Sequence, residues 1–336
     1  MFNRRDFTRF AAAAALTAPA IRPSWAAAQM VIKFSHVVAR DTPKGKAAEK
    51  FRELAAHYTN GAVRVEVYPD SQLYKDKVEL EALQLGAVQM LAPSLAKFSP
   101  LGARQFELFD LPMLFRDRKD LRLITDGEIG RNLLASLEPK GIRGLAFWDN
   151  GFKIMSANSP LRMPEDFRGL TMRIQASRTL AMQMEALGAV PQVMAFSEVY
   201  QALRAGLVNG TENTPSNMQT QKMHEVQKHA TISRHGYIGY ALVVNNAYWE
   251  DLPDDIRTQL EKAVAETTEY GNSIAGQVNE NALQVMKNAG LTDFHELTEA
   301  EHRAWRDALL PVHRQMAGLI GSDLIEQVQG VLAQDR

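Results

Sequence analysis

The sequence predicts an α/β protein of two lobes braced by one long helix, and three observations carry that expectation. Apolar, β-branched runs alternate with helical patterns from Met30 onward. The alternation occurs in two units that meet near Asn150, and a helical pattern after Pro253 is longer than one small domain. Strands separated by helices imply parallel sheets covered on both faces, with ligands bound beyond the carboxyl ends of the strands.

The first unit opens with a strand over Met30 to Ser35, a helix from Pro43 to about Tyr58, and a strand over Val63 to Tyr68. A helical pattern from Lys75 to Leu85 and a strand from Val88 to Ala92 follow. This order puts His36, the loop through Lys44, and Ser94 on the candidate binding rim. A helix over Asp117 to Leu137 then leads into strands at Ile142 to Trp148 and Phe152 to Ala157. Gly151 suits a crossing between lobes, because glycine tolerates the backbone geometry that such a switch demands.

The second unit reads as a strand at Leu170 to Ile174, a helix at Ser177 to Leu187, a strand at Val190 to Met194, a short helix at Ser197 to Ala205, and a strand at Val208 to Glu212. Thr231 to Asn246 is long and β-rich, with small residues at Gly236 and Gly239, and is expected to return the chain to the first domain. Pro253 opens a helix with apolar positions at Ile256, Leu260, Val264, Thr267, Tyr270, Ile274 and Val278, and Asp254 and Asp255 suit its first turn. Unbroken to Lys287, it would be roughly 50 Å long. Gly271 and Gly276 leave a kinked or split helix as the alternative. The expected division assigns residues 29–150 and about 239–278 to lobe I, and 151–238 and about 279–336 to lobe II.

The opening residues read as an address. Asn3-Arg4-Arg5-Asp6-Phe7 is a twin-arginine opening, an apolar run from Phe10 to Ile21 follows, and Ala26-Ala27-Ala28 offers small residues for cleavage. The run is too short to span a bilayer, so residues 1–28 are expected to be a signal peptide and the mature chain to be periplasmic. No later stretch approaches a spanning length, so the mature protein is expected not to be embedded in the membrane. Residues 1–28 carry a net charge of +3 against −1 for the whole chain, which leaves about −4 and argues against a nucleic-acid partner held by phosphate contacts. Cysteine is absent, so thiolate chemistry and disulfides are excluded.

Signatures of catalysis are missing. The chain has no G-x-S-x-G elbow, no phosphate-binding G-x-x-x-x-G-K-[ST] loop, no G-x-G-x-x-G fingerprint and no H-E-x-x-H pair. No cofactor, metal or enzyme activity is therefore expected. Binding chemistry is better represented. Lys153 and Arg173 lie in strand-like runs, and if those strands pair, an ammonium and a guanidinium fork converge on one carboxylate. Taken singly, each candidate has a plainer reading: Arg173 as a structural ion-pair partner, Lys153 as a snorkelling surface residue, Asn213 as a cap, Phe196 as core, and His36 and His235 as structural histidines.

The combination of motifs is more specific. Phe34-Ser35-His36, Thr59-Asn60-Gly61, Tyr68-Pro69 through Gln72-Leu73 and Trp148-Asp149-Asn150-Gly151-Phe152-Lys153 come first. Pro164-Glu165-Asp166-Phe167-Arg168-Gly169, Met172-Arg173-Ile174, Leu187-Gly188-Ala189, Glu198-Val199-Tyr200-Gln201-Ala202-Leu203 and Gly210-Thr211-Glu212-Asn213 follow in order. With these pieces the chain resembles, over nearly all of its mature length, the substrate-binding proteins of tripartite ATP-independent periplasmic (TRAP) transporters. The resemblance implies a two-lobed periplasmic binding protein fold with mixed sheets flanked by helices, closing over an organic acid. It implies that Arg173 makes a paired contact to the ligand carboxylate, that Asn213 donates to the same group, and that Phe196 packs against the ligand.

Where sialic-acid-binding members usually carry arginine, this chain has Lys153, and the context of His36 and Thr42-Pro43-Lys44-Gly45-Lys46 looks more like the dicarboxylate-binding branch. A four-carbon dicarboxylate such as succinate, malate or fumarate needs partners at both ends, because an unpaired buried carboxylate is costly. Arg173 and Asn213 would serve one end. Lys44, His36 and Ser94, with Tyr237 and His235, are candidates for the other. The partners implied are the acid and the TRAP membrane permease subunits, with the binding protein a monomer. The rivals are a binding protein for a sugar acid or 2-oxo acid, a periplasmic enzyme with His36 or His235 as general base, and a ligand sensor.

Overall fold

The computed structural model describes residues 29–334, so the predicted twin-arginine segment lies outside the described residues. The chain enters as β1 (Met30–Ser35), crosses by α1 (Pro43–Tyr58) to β2 (Val63–Tyr68), and by α2 (Glu79–Gln84) to the two-residue β3 (Met90–Leu91). Short 3-10 segments at Leu95–Leu101 and Arg104–Asp110 precede α3 (Arg118–Thr125), α4 (Glu128–Ala135) and β4 (Ile142–Phe152). Next come β5 (Ile154–Ala157), β6 (Thr171–Ile174), α5 (Arg178–Ala186), β7 (Val190–Val193), α6 (Val199–Ala205), β8 (Gly210–Asn213), α7 (Pro215–Thr220) and β9 (His229–Ile232). Then β10 (Tyr237–Asn245) and α8 (Asn246–Glu250) lead into α9 (Asp254–Ala289), followed by β11 (Asp293–Glu296), α10 (Glu299–Leu309), α11 (Pro311–Ile320) and α12 (Ser322–Gln334).

The strands form two mixed sheets, in the orders β2-β1-β3-β10-β4 and β11-β9-β5-β8-β6-β7. Alternation of strands and helices predicts the parallel part correctly: β1 pairs in parallel with β2 and β3, and β6 with β7 and β8. The antiparallel part comes from the crossings. β4 and β5 are separated only by Lys153 yet belong to different sheets, and β10 returns antiparallel to both β3 and β4. The β-rich stretch expected over Thr231 to Asn246 is likewise two strands, with β9 in the second sheet and β10 in the first.

All nine residues of β10 are buried, because both faces of its sheet are covered. Ala241 and Val243 join a core with Phe98, Phe106, Phe109 and Leu121, while Tyr240, Leu242 and Val244 face Phe34, Phe51, Leu260 and Val264. The predicted Asp117–Leu137 helix divides into α3 and α4. Asp117 caps the first, accepting from Lys119 N at 2.8 Å and Asp120 N at 3.0 Å.

The long helix α9 runs unbroken for 36 residues, about 54 Å at the standard rise. Its glycines fit tight contacts: a Cβ on Gly271 would lie 3.0 Å from Ala47 Cβ of α1, and one on Gly276 would meet the Arg118 guanidinium. Two asparagines spaced seven apart pin it to the crossing. Asn272 Oδ1 accepts from Asp149 N at 2.7 Å, and Asn279 Nδ2 donates to Asn150 O at 2.9 Å while its Oδ1 accepts from Ser216 N at 3.0 Å. After β11, Trp305 and Leu309 of α10 pack with Phe167 and Met172 of the second lobe. From Val312 onward the packing changes. Val312, Met316, Ile320, Ile325, Val328 and Leu332 join the first-lobe core with Leu121 and Ile124, although residues beyond 279 were expected in lobe II. The amphipathic faces of α11 and α12 are what cover that side of the first lobe.

Candidate ligand-binding site

The pleat decides which side chains reach the space between the lobes. Arg173 of β6 stands opposite Thr211 of β8, and Ile154 of β5 stands opposite Asn213. Paired residues share a face and alternate residues return to it, so Arg173, Thr211, Asn213 and Ile154 lie together. Glu212 and Met155 occupy the opposite face. Lys153, one residue before Ile154, follows Glu212.

Lys153 and Arg173 therefore do not converge: β8 lies between β5 and β6, so the pairing that convergence required is not formed. Instead Lys153 Nζ donates to Glu212 Oε1 at 2.7 Å. Glu212 Oε2 lies 2.9 Å from His235 Nε2, and His235 Nδ1 lies 2.7 Å from Ser233 Oγ. Burial opposes ionisation of Glu212, but Lys153 and the His235 hydrogen bond outweigh it and hold the carboxyl down to about 2. Burial pushes His235 below its usual range despite Glu212.

Between the lobes is a small pocket. Lys44, Asp76, Ser94, Lys97 and Tyr240 contribute from the first lobe, and Arg173, Gln175, Phe196, Asn213 and Asn217 from the second, with Val37, Val38 and Ile238 as apolar wall. Arg173 is the third of the four residues of β6 and is 2% exposed. Its Nε and Nη2 both donate to Met194 O, at 3.1 and 2.8 Å, and its guanidinium carbon lies 5.9 Å from the Phe196 ring centroid. No carboxylate forms an ion pair with it among the described residues. Asn213 Oδ1 accepts from Thr214 N and from Asn217 Nδ2, each at 2.9 Å, which fixes the amide and turns its NH₂ away from both donors.

Lys44 enters from the first turn of α1, where Thr42 Oγ1 accepts from Gly45 N at 3.1 Å and Pro43 starts the helix. It is 1% exposed, donates to Ala92 O at 2.9 Å, and has its ammonium 3.8 Å from the Tyr240 ring centroid. It too lacks an ion-pair partner among the described residues. Burial, with Lys97 as the next contributor, lowers Lys44 to about 7. Lys97 differs. It is paired with Asp76 and, at 2.5 Å, with Glu79, and these carboxylates overcome burial and raise its pKa.

Contacts across the pocket tie the lobes together. Phe196 N donates to Asp76 Oδ2 at 2.5 Å, and Ser94 Oγ donates to Gln175 Oε1. Nearby, Glu107 accepts from Thr179 N and Thr179 Oγ1 at 2.7 Å, so the first lobe supplies the acceptor for the start of α5. Asp76, Lys97, Arg173 and Gln175 also face a wider outer cleft of about 1180 Å³, walled by Leu80, Pro100, Leu101, Val193 and Met194. These four polar residues thus separate the pocket from the cleft mouth.

Of the residues expected from sequence, Arg173, Asn213, Phe196, Lys44 and Ser94 line the pocket, whereas Lys153, His235, His36 and Tyr237 do not. Tyr237 lies on the opposite pleat from Ile238 and Tyr240 and donates to Asp149 Oδ1 at 2.6 Å. His36 is fully buried, with neither ring nitrogen hydrogen-bonded among the described residues, and burial, then Lys44, lowers it well below its usual range. Asp76, Lys97, Gln175, Asn217 and Tyr240 were missed. Asn217 has a legible signal, four residues after Asn213 on the following helical turn. Asp76, in the turn before α2, and Lys97, in the 3-10 segment Leu95–Leu101, have none.

A family model described as bacterial extracellular solute-binding protein, family 7, matches residues 34–318. The chain belongs to that family. It is 65% identical over 334 residues to the C4-dicarboxylate-binding periplasmic protein DctP of Rhodobacter capsulatus, covering 99% of this chain and 100% of the relative. A TRAP periplasmic solute-binding protein from Shewanella oneidensis with bound succinate superposes with a TM-score of 0.89 at 41% identity, covering 91% of this chain and 100% of that one. One from Pseudomonas aeruginosa PAO1 with bound L-malate gives 0.83 at 43%, covering 85% and 99%. No helix among the described residues is long and apolar enough to cross a membrane.

Proposed function

We propose that this family 7 protein captures a four-carbon dicarboxylate such as succinate, malate or fumarate and delivers it to a TRAP membrane permease. One observation carries the reading: the pocket holds two buried cations without ion-pair partners among the described residues, Arg173 from one lobe and Lys44 from the other. Burial disfavours the charged form of both, nearby carboxylates such as Asp76 offset this only in part, and a dianion between the two stabilises both charges at once. Asn213 and Gln175 add neutral amide donors beside Arg173. The succinate and malate of the two solved relatives fit this charge pattern.

Because the cations come from different lobes, the ligand favours the state in which the lobes meet, and closure follows from differential affinity. The protein acts as a monomeric, exported carrier, directed to the periplasm by its twin-arginine opening, without catalysis. Its hydrogen-bonding histidine His235 faces Glu212 and not the pocket. A pocket for a sugar acid or 2-oxo acid is the second reading, favoured only by the outer cleft that adjoins Arg173.

A thermal-shift panel of mono-, di- and sugar acids on the mature protein tests the assignment. Ligand at 100 times its dissociation constant should add about 2.7 kcal/mol and raise the midpoint. Arg173→Met should keep the unliganded midpoint and lose the ligand-induced rise. If a sugar acid shifts the wild-type midpoint and no four-carbon dicarboxylate does, the substrate assignment fails. A normal rise in Arg173→Met would make Arg173 structural.

A further inference from the structure

Lys44 differs from the other lysines near the pocket, and it shares with Arg173 the lack of a carboxylate within ion-pair distance among the described residues. Lys97 has two carboxylates within ion-pair distance and Lys153 has one, whereas Lys44 has a carbonyl and an aromatic face. Both of its contacts, Ala92 and Tyr240, come from its own lobe, so its surroundings do not depend on the second lobe alone. Asp76 and Glu79 act on this ammonium only from beyond ion-pair distance, so in a dry pocket it is held charged when an anion lies against it and otherwise gives up its proton more readily.

These two escapes correspond to two classes of ligand. A dicarboxylate anchored at Arg173 brings its second carboxylate toward Lys44 and keeps the ammonium charged. A monocarboxylate of the same length, such as butyrate, fills the same space but offers a methyl group there. We propose that Lys44 is the residue that excludes monocarboxylates, and that it does so only while it carries its proton. The proposal rests on the dicarboxylate reading above and deepens it: selectivity for a second carboxylate is set by one ammonium group, and the dicarboxylate is taken up together with the proton that the monocarboxylate would force off into solvent.

The lowering of Lys44 to about 7 by burial and Lys97 agrees with this placement. The other groups facing it hold their charge states near neutral pH. Asp76 is held down to about 2 against burial by Lys97, Tyr240 is pushed up to about 12 by burial, His36 is kept neutral by burial, and Lys97 is raised. Arg173 stays charged as a guanidinium. Glu79, raised by burial, is the neighbour to control separately.

The consequence is a ratio. If succinate binds the protonated form and butyrate the neutral form, the succinate-to-butyrate affinity ratio falls by up to tenfold per pH unit, whatever the Lys44 pKa of the empty protein. Calorimetric or competition titrations from about pH 7 to about pH 9, where both acids are ionised, read this ratio directly. The expected wild-type ratio is on the order of 100-fold or more near pH 7 and much smaller near pH 9. Lys44→Met should have a small ratio without pH dependence, and Lys44→Arg a large one without pH dependence, because guanidinium does not deprotonate. Glu79→Gln should keep the wild-type slope.

The outcomes separate cleanly. If succinate does not bind wild type at all, the dicarboxylate reading itself fails. If succinate binds but the ratio is flat across the range, or the slope is lost in Glu79→Gln, the Lys44 inference fails alone. The wild-type slope needs no variant, so misfolding of Lys44→Met would leave the test decisive.

Discussion

At the scale of single residues, three buried acids around the lobe junction behave in opposite ways. Asp76 and Glu212 have lysine partners and are held low, whereas Asp110 has Oδ2 buried without a hydrogen bond among the described residues, and burial pushes it up to about 7 against the pull of Lys153. A carboxyl whose folded value lies above its unfolded value of about 3.8 gives stability that is complete below that value and lost as pH rises through about 7. Glu212 runs the other way, with its contribution present above about 4.5 and lost as pH falls through about 2. Asp110→Asn is therefore expected to remove the decline in stability between about pH 4 and pH 7, and to gain up to a few kcal/mol near pH 8. Urea denaturation midpoints across pH check this, and an unchanged slope would show that Asp110 is not the titrating group. The same scale explains how far the site was legible. Arg173 and Asn213 are recoverable because strand parity and family motif agree on them. Lys153 carries an equally strong motif but has the wrong parity, and parity prevails because a buried ammonium goes to the carboxylate on its own face. Asp76 lies in a turn where the sequence predicts the start of a helix, and Lys97 in a short 3-10 segment, so no pattern in the sequence aims them.

At the scale of elements, α9 is the long helix that the sequence predicts, and the kinked alternative left open by propensity is not formed. Gly271 and Gly276 read as weak points, each unfavourable by about 1 kcal/mol relative to alanine. Tertiary packing overrides this, because Gly271 lets α9 approach Ala47 of α1, and Asn272 and Asn279 pin the same helix to Asp149 and Asn150. The two glycines should respond differently to added side chains. Gly271→Val overfills the α1 contact and is expected to destabilise by about 1–3 kcal/mol. Gly276→Ala meets only the mobile end of exposed Arg118, so improved helix propensity should leave stability unchanged or raise it by up to about 1 kcal/mol. Chemical denaturation of the two variants decides the matter. Equal losses in both would mean that the close approach at Gly271 has no special energetic weight. Strand existence was legible except for β11, whereas the split of Thr231 to Asn246 between sheets was not, since a continuous apolar run looks the same on either side of a crossing.

At the scale of the whole molecule, the lobes are defined by which core each segment joins, and sequence order is a poor guide to that. β10 is separated from β1 by some two hundred residues of chain yet sits two strands away from it in the same sheet. The chain end repeats the lesson: α10 belongs to the second-lobe core through Trp305, and then α11 and α12 cross back to cover Leu121 and Ile124 of α3. Periodicity finds the apolar stripe of α12 at Ile325, Val328 and Leu332, but a stripe does not name the surface it will meet. Truncation before Ser322 separates the possibilities. Removing α12 uncovers α3, so the amides of Arg118–Thr125 should lose hydrogen-exchange protection by at least about tenfold, while those of β5, β8 and β9 keep theirs. Loss of protection concentrated in β5, β8 and β9 would instead place α12 energetically with the second lobe. Because Arg173 and Asn213 are carried by that second sheet and Lys44 by the first lobe, the expected outcome also predicts that the truncated protein weakens ligand capture through the lobe that holds Lys44, with the Arg173 face still folded.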